Sequence, residues 1–106
     1  MTESIREVFW LRTADEVLYA SPSFEDVWGR PREILYEDVD AYLDDVHPDD
    51  VNRVRAACDR LIRDDVPLDM RYRIIRRSDR RTRWVSASFR PVHNDRGEPR
   101  FAGIVR

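Results

Sequence analysis

The chain has 106 residues, 42% of them hydrophobic and 38% charged, with a net charge of −2. A chain of this length is one domain with a single modest core, burying about two thirds of its unfolded surface. No apolar run approaches the roughly 20 residues that span a bilayer, and the opening MTESIREVFW lacks a basic segment followed by an apolar one, so neither a membrane span nor a signal peptide is expected.

Residues 5–12, IREVFWLR, contain the aromatic and β-branched run Val8-Phe9-Trp10-Leu11, which predicts a strand. A polar link, residues 13–16, leads to a second strand at Val17-Leu18-Tyr19-Ala20, so residues 8–20 read as a hairpin. Ser21-Pro22 then opens a short helix, with Ser21 as N-cap and Pro22 at the first helical position. Phe24, Val27 and Trp28 are its apolar positions, and Gly29 ends it. Pro31 opens another short helix carrying Ile34 and Leu35, and residues 41–46 form a third burst. None of these would be stable alone, so they must lean on a sheet.

His47-Pro48-Asp49-Asp50 divides the chain. Pro48 suits the first helical position, and Asp49 and Asp50 suit the first turn, against the positive end of the helix dipole. His47 then falls at the N-cap, where a ring nitrogen can accept a backbone N–H, although His is not a favoured cap. In the helix that follows, Val51, Val54, Cys58 and Leu61 share one face, and Asp64-Asp65 and Pro67 stop it. Residues 68–76 alternate as a strand, with Leu68, Met70, Tyr72 and Ile74 on one side. A turn at Ser78-Asp79-Arg80 leads to a strand from Trp84 to Val92. The turn Asn94-Asp95-Arg96-Gly97 leads to the last, from Phe101 to Val105. Two strands, several helices and three strands make an α+β fold, with an antiparallel sheet covered on one face by helices.

The segments VLYASPSFEDVWGRPREILYED, YLDDVHPDD, MRYRIIR, RWVSASFRPVHNDRGEP and FAGIVR, in this order and spacing, resemble a PAS domain of the subgroup with a His-Pro-Asp-Asp element. The resemblance implies a five-stranded antiparallel sheet in spatial order 2-1-5-4-3, with short helices and one longer helix on one face. It implies a sensory or dimerisation module of a larger signalling protein, such as a histidine kinase or diguanylate cyclase, with residues 1–106 as a single excised PAS domain. Two departures stand out. The turn Ser78-Asp79-Arg80-Arg81 lacks the usual Asp-Gly, and the chain stops at Arg106, where family members run on through Asp-Ile-Thr into an output linker.

The residues offer little catalytic chemistry. His47, His93 and Cys58 are not placed to form a nucleophile–base pair, and no His or Cys pair has metal-ligand spacing. We therefore expect a regulatory domain and no metal. Cys58, the one cysteine, forms no internal disulfide, so a reducing cytoplasm is expected. The net charge favours no nucleic acid, and the arginine-rich hairpin has only Tyr72 for base stacking, so nucleic acid is not an expected partner; nor is a membrane.

The resemblance implies a pocket between helices and sheet that holds haem, flavin or a small organic ligand. Residues 30–38 lack the Asn-Cys-Arg-Phe-Leu-Gln motif of covalent-flavin LOV members, and residues 51–62 lack a haem-ligating His. Haem and covalent flavin are thus disfavoured, and a non-covalent flavin or small organic ligand stays open. The expected lining is Phe24, Trp28, Leu35, Tyr42, Val54, Cys58, Leu61, Tyr72 and Ile74. These side chains either line a vacant pocket or fill it, and filling suits a small domain better.

Two further patterns carry expectations. Arginines 71, 73, 76, 77, 80, 81 and 83 cluster on one hairpin, and acidic residues 37, 38, 40, 44, 45, 49 and 50 cluster mid-chain. They form either an electrostatic contact that sets orientation or a solvated edge that resists stray strand pairing. The central strands are also apolar on both sides. Val8 and Trp10 oppose Phe9 and Leu11; Trp84 and Val92 oppose Val85, Ala87 and Phe89; Phe101 and Val105 oppose Ala102 and Ile104. One face therefore lacks cover from this chain, and a homodimer through that face is expected, carried by Val8, Trp10, Trp84 and Val92 or by the opposite set. The function expected is a sensory module that binds a ligand or dimerises and relays to an output domain. The alternative is a constitutive dimerisation scaffold with a filled core.

Overall fold

The computed structural model describes residues 7–106; Ile5 and Arg6 of the first expected run lie outside the described residues. The strands are β1 (Val8–Arg12), β2 (Val17–Ala20), β3 (Leu68–Ile75), β4 (Thr82–His93) and β5 (Pro99–Val105). Between β2 and β3 come α1 (Phe24–Trp28), α2 (Glu33–Glu37), a 3-10 helix (Ala41–Asp45) and α3 (Val51–Asp64). The sheet is antiparallel in the order β2-β1-β5-β4-β3, as the resemblance implied.

Register fixes which side chains meet the helices. Val8 pairs with Val105 and Ala87 pairs with Val105, so these three share a face. Val8, Trp10, Val85, Ala87, Phe101 and Val105 are buried beneath the helices. Phe9, Tyr19, Trp84 and Val92 are exposed on the other side. This corrects the expected outer set. Val8 and Trp10 were grouped with Trp84 and Val92, but β1 pairs with β5 such that Trp10 lies opposite Gly103, on the helix side. The outer face is instead built from Phe9, Leu11, Tyr19, Trp84, Val92, Ala102 and Ile104. Parity within one strand was readable from sequence; the phase between strands was not, because it depends on turn geometry and register.

Gly103 is where the inner face has least room. A Cβ there would lie 2.4 Å from Phe89 Cγ and 2.5 Å from the Ser88 carbonyl oxygen. The hairpin without glycine closes by placing Arg80 in the left-handed region, at φ 61°. The Asp79 carboxylate accepts the Arg81 N–H at 3.1 Å and the Arg76 guanidinium at 3.0 Å, which holds that turn.

Two helix starts differ from expectation. α1 begins at Phe24, because Ser21 extends the β2 ladder: its N–H donates to Phe9 O and its Oγ accepts the Phe9 N–H, each at 2.9 Å. α3 begins at Val51, after a turn over residues 48–50. Hydrogen bonding nevertheless starts at His47. Its carbonyl accepts the Asp50 and Val51 N–H groups, and its Nδ1 accepts the Asp49 N–H at 3.0 Å. Asp50 does not cap the helix with its side chain. It turns to Arg73 on β3, where it accepts three hydrogen bonds.

Candidate functional site

The inner face is filled mainly by aromatic rings. Trp10, at the middle of β1, makes edge-on contacts with Phe24, Trp28 and Tyr42 at 5.6–5.7 Å between ring centroids and with Phe89 at 6.2 Å. Phe24 and Trp28 stack at 4.9 Å. Trp28 Nε1 donates to the Tyr42 carbonyl at 3.3 Å, so the buried indole N–H is satisfied. Phe24, Trp28, Leu35 and Ile74 are fully buried. These four members of the expected lining belong to the buried core and do not line the inner cavity.

The other five surround a cavity of about 30 Å³ between α3 and the sheet: Tyr42, Val54, Cys58, Leu61 and Tyr72. Arg12, Leu68, Met70 and Phe89 also line it and were not anticipated. The sequence carries a signal for Arg12: it is in phase with Val8 and Trp10 along the strand, and so points inward. A space of this size admits a water or two, whereas pockets for organic ligands run to roughly 300–1,000 Å³.

Cys58 is half-buried, and its Sγ lies 2.9 Å from the Tyr42 hydroxyl. Burial pushes the thiol up, against the lowering effects of the Tyr42 hydrogen bond and of the Arg12 guanidinium. Burial also raises the Tyr42 and Tyr72 hydroxyls, with Cys58 adding to both. All three groups are therefore neutral near pH 7, and Cys58 is a poor nucleophile. Among the described residues, no three His, Cys, Asp or Glu side chains are grouped to hold a metal ion.

The two charge clusters meet inside this chain. Asp45, at the end of the 3-10 helix, is buried between Arg30 at 3.0 Å and Arg77 at 2.8 Å. Asp50 receives Arg73 in a two-pronged pair, Nε to Oδ2 at 3.0 Å and Nη2 to Oδ1 at 2.9 Å, and the Arg73 backbone N–H at 2.8 Å. These bonds hold the Asp50 carboxyl well below the usual carboxylate range. The two aspartates flank His47, whose N–H donates to Arg73 O, and Val46 bridges to Ile74. The edge of β3 is thereby covered and the helical layer is fixed against it. Arg71 and Arg73 both lie over the Trp84 ring, 5.2 and 5.4 Å from its centroid.

On the outer face a broad depression of about 880 Å³ runs past Phe9, Leu11, Tyr19, Ala102 and Ile104 toward Arg71 and Arg90. Its β1–β5 half is apolar, and its β3–β4 half carries the Asp69–Arg90 pair and Ser88, which donates to Asp69 at 2.8 Å.

The chain matches the family model described as PAS fold over residues 17–105. Among solved structures it is similar to a domain of a Haloarcula marismortui histidine kinase named for light and redox sensing. The two are 32% identical, with a TM-score of 0.79, covering 94% of this chain and 87% of that one. It is also similar to the N-terminal domain of a diguanylate cyclase with PAS/PAC sensor from Marinobacter aquaeolei, at 22% identity and a TM-score of 0.81, covering 94% and 93%. A third, a sensory box histidine kinase/response regulator from Burkholderia thailandensis, is 27% identical with a TM-score of 0.69, covering 95% and 76%. No curated protein matches the chain.

Proposed function

The chain belongs to the PAS-fold family, and from that premise we propose that it is a regulatory signalling module that pairs with a second copy through its outer sheet face. The observation that carries this reading is the exposed apolar surface of Phe9 and Tyr19, joined by half-buried Leu11, Ala102 and Ile104 along the outer depression. A contiguous apolar face of this kind on a small domain marks an interaction site. A two-fold pair would set the β1–β5 half of one copy against that of the other and bury the apolar side chains of both. Shifts of the helices against the sheet would then reach an output domain as a change in the population of two paired arrangements. Histidine kinase and diguanylate cyclase outputs, as in the similar proteins, suit such a relay. Catalysis belongs to that output domain.

The filled inner face favours a second reading, in which pairing is constitutive and the helix–sheet core holds no flavin, haem or other bulky ligand. A cytoplasmic location goes with either reading. Among the described residues no helix is long and apolar enough to cross a membrane. Neither nucleic acid nor membrane has a part in these readings.

Sedimentation equilibrium tests the pairing. Ile104→Glu places a charge on the outer face opposite Phe9 and Ser88. The expected result is a dimer whose dissociation constant rises at least about tenfold in the variant, with the circular dichroism melt retained. A wild-type chain that stays monomeric at millimolar concentration would overturn the pairing.

A further inference from the structure

Arg12 ends β1, and the pairing with β2 slips by one residue between Leu11 and Arg12. The extra residue, Leu18, is on β2, and the β1–β5 register runs unbroken to Arg12 opposite Phe101, so Arg12 stays in phase with Val8 and Trp10. The Arg12 side chain lies on the helix side, and the residue is only 6% exposed. Its Nε donates to Thr13 O at 2.9 Å and its Nη2 to Ala14 O at 3.0 Å, both neutral acceptors. The other buried charges among the described residues, Asp45 and Asp50, each have an arginine partner. Arg12 has no carboxylate within 4.0 Å among those residues, so its charge is buried without a counter-ion. Such a burial is costly unless an anion completes it. Of the five guanidinium N–H donors, two are used and three are left. Nη1, which carries two of them, is not sealed in: Arg83 Nε is the one buried side-chain nitrogen or oxygen without a partner among the described residues.

Two spaces share Arg12, Tyr42 and Cys58 as a common wall. One is the inner cavity of about 30 Å³. The other is a surface groove of about 230 Å³ between the β1–β2 turn, the 3-10 helix and α3. The groove has an apolar side of Val39, Leu43 and Ile62, and its charged lining besides Arg12 is Asp15, Asp40, Asp59 and Arg55.

We infer that this groove binds a small monocarboxylate, with its carboxylate on the Arg12 guanidinium and its alkyl end against Val39, Leu43 and Ile62. A guanidinium offers paired N–H donors that match a carboxylate, and a partly desolvated setting strengthens the contact. The rim aspartates select within the anions. The three aspartates outnumber Arg12 and Arg55, so one negative charge can be held on Arg12, whereas a dicarboxylate or phosphate brings a second charge into a lining that is already net negative. The volume suits a chain of a few carbons. This site is separate from the outer face, so it stands or falls apart from the pairing: a monomer that binds the carboxylate would fail that reading and keep this one.

The test is titration of the ¹⁵N-labelled full chain with sodium butyrate, sodium succinate and sodium phosphate at constant ionic strength, following the Arg12 Nε–H signal and the Cys58 amide. Butyrate is expected to shift both saturably and to bind at least about tenfold more tightly than succinate or phosphate. Arg12→Met should abolish the response. Because that variant also loses the bonds to Thr13 and Ala14, Asp40→Asn serves as a second test: its side chain lies on the rim, and its loss should narrow the preference of butyrate over succinate. No saturable shift with butyrate, a shift that persists in a folded Arg12→Met, a preference unchanged in Asp40→Asn, or equal binding of phosphate and butyrate would each overturn the assignment.

Discussion

The two faces of the sheet are made by alternate residues of the same strands, and they have opposite fates. Trp10 is 5% exposed, while its neighbour Phe9 is 50% exposed. Trp28, on the layer that covers the inner face, is 0% exposed, and Trp84 on the outer face is 57% exposed. Residue type does not separate these pairs; the presence of cover does. On the inner side the aromatic rings interlock and leave room for a water or two. On the outer side apolar side chains of similar size have no layer of the described chain over them, and only Arg71 and Arg73 rest on Trp84. Inner residues thus supply the free energy of folding, and outer residues are free to supply that of association.

The sharpest way to break this distinction is to truncate one tryptophan on each side. Trp28→Ala should cost about 3–5 kcal/mol in urea unfolding, because it removes a fully buried ring and leaves a cavity beside Phe24 and Trp10. Trp84→Ala should cost under about 1 kcal/mol, the worth of an exposed side chain with Arg71 and Arg73 resting over it. Both are to be measured at concentrations where the chain is monomeric. Comparable losses would mean that the outer tryptophan is structural and that the faces do not differ in role. If Trp28→Ala leaves too little structure to melt, Trp28→Phe gives the same ranking at smaller scale.

A smaller effect sharpens the same contrast at a single strand. Gly103 faces inward and Ala102 outward. Gly103→Ala should destabilise by about 1–3 kcal/mol, since its new methyl meets the Phe89 ring and the Ser88 carbonyl. Ala102→Gly removes a methyl from the outer side and should cost about 0.5–1 kcal/mol, through chain entropy alone. Gly103→Ala with no loss, in the same urea titration, would show that the inner face has slack.

Most of the architecture was legible in the residues. Gly29 stops α1 at φ 72°, the alternation over Leu68, Met70, Tyr72 and Ile74 gives β3 its inner row, the segment order gives an α+β fold, and the spatial order of the strands follows from the family resemblance. What was not legible depended on contacts between distant segments. The outer set was misassigned because interstrand phase is absent from any one strand's pattern. Of the expected pocket lining, five residues surround the small cavity and four are packed elsewhere, since helical periodicity reports which face is buried but not what it is buried against. A basic residue at a strand end reads as solvated, whereas Arg12 points inward, in phase with Val8 and Trp10. Asp50 reads from sequence as ordinary first-turn chemistry, because its partner Arg73 lies 23 residues further on.

That last pair joins the two faces, and its effect is the gentlest to measure. Arg73 lies over Trp84 on the outer side at 5.4 Å, while its guanidinium and backbone N–H hold Asp50 at the entrance to α3. Because the folded chain keeps the Asp50 carboxyl far below its ordinary value of 3.8, the unfolded chain takes up a proton first as the pH falls. The stability from this pair is therefore fully present above about pH 5 and is lost progressively as the pH drops below 3.8 toward the depressed folded value. Wild type should show no change from this group between pH 7 and pH 5, then a falling urea midpoint below pH 4. Asp50→Asn should start lower at pH 7 and fall less steeply. Some slope will remain, since Asp64, Asp69 and Asp79 are also held below their ordinary values by arginine and hydrogen-bond partners. Parallel curves for the two proteins down to pH 2.5 would mean that the pair does not distinguish folded from unfolded chain. The fixing of α3 to the edge of β3 would then have to rest on the backbone bonds of Val46 and His47 and on Asp45 with its two arginines.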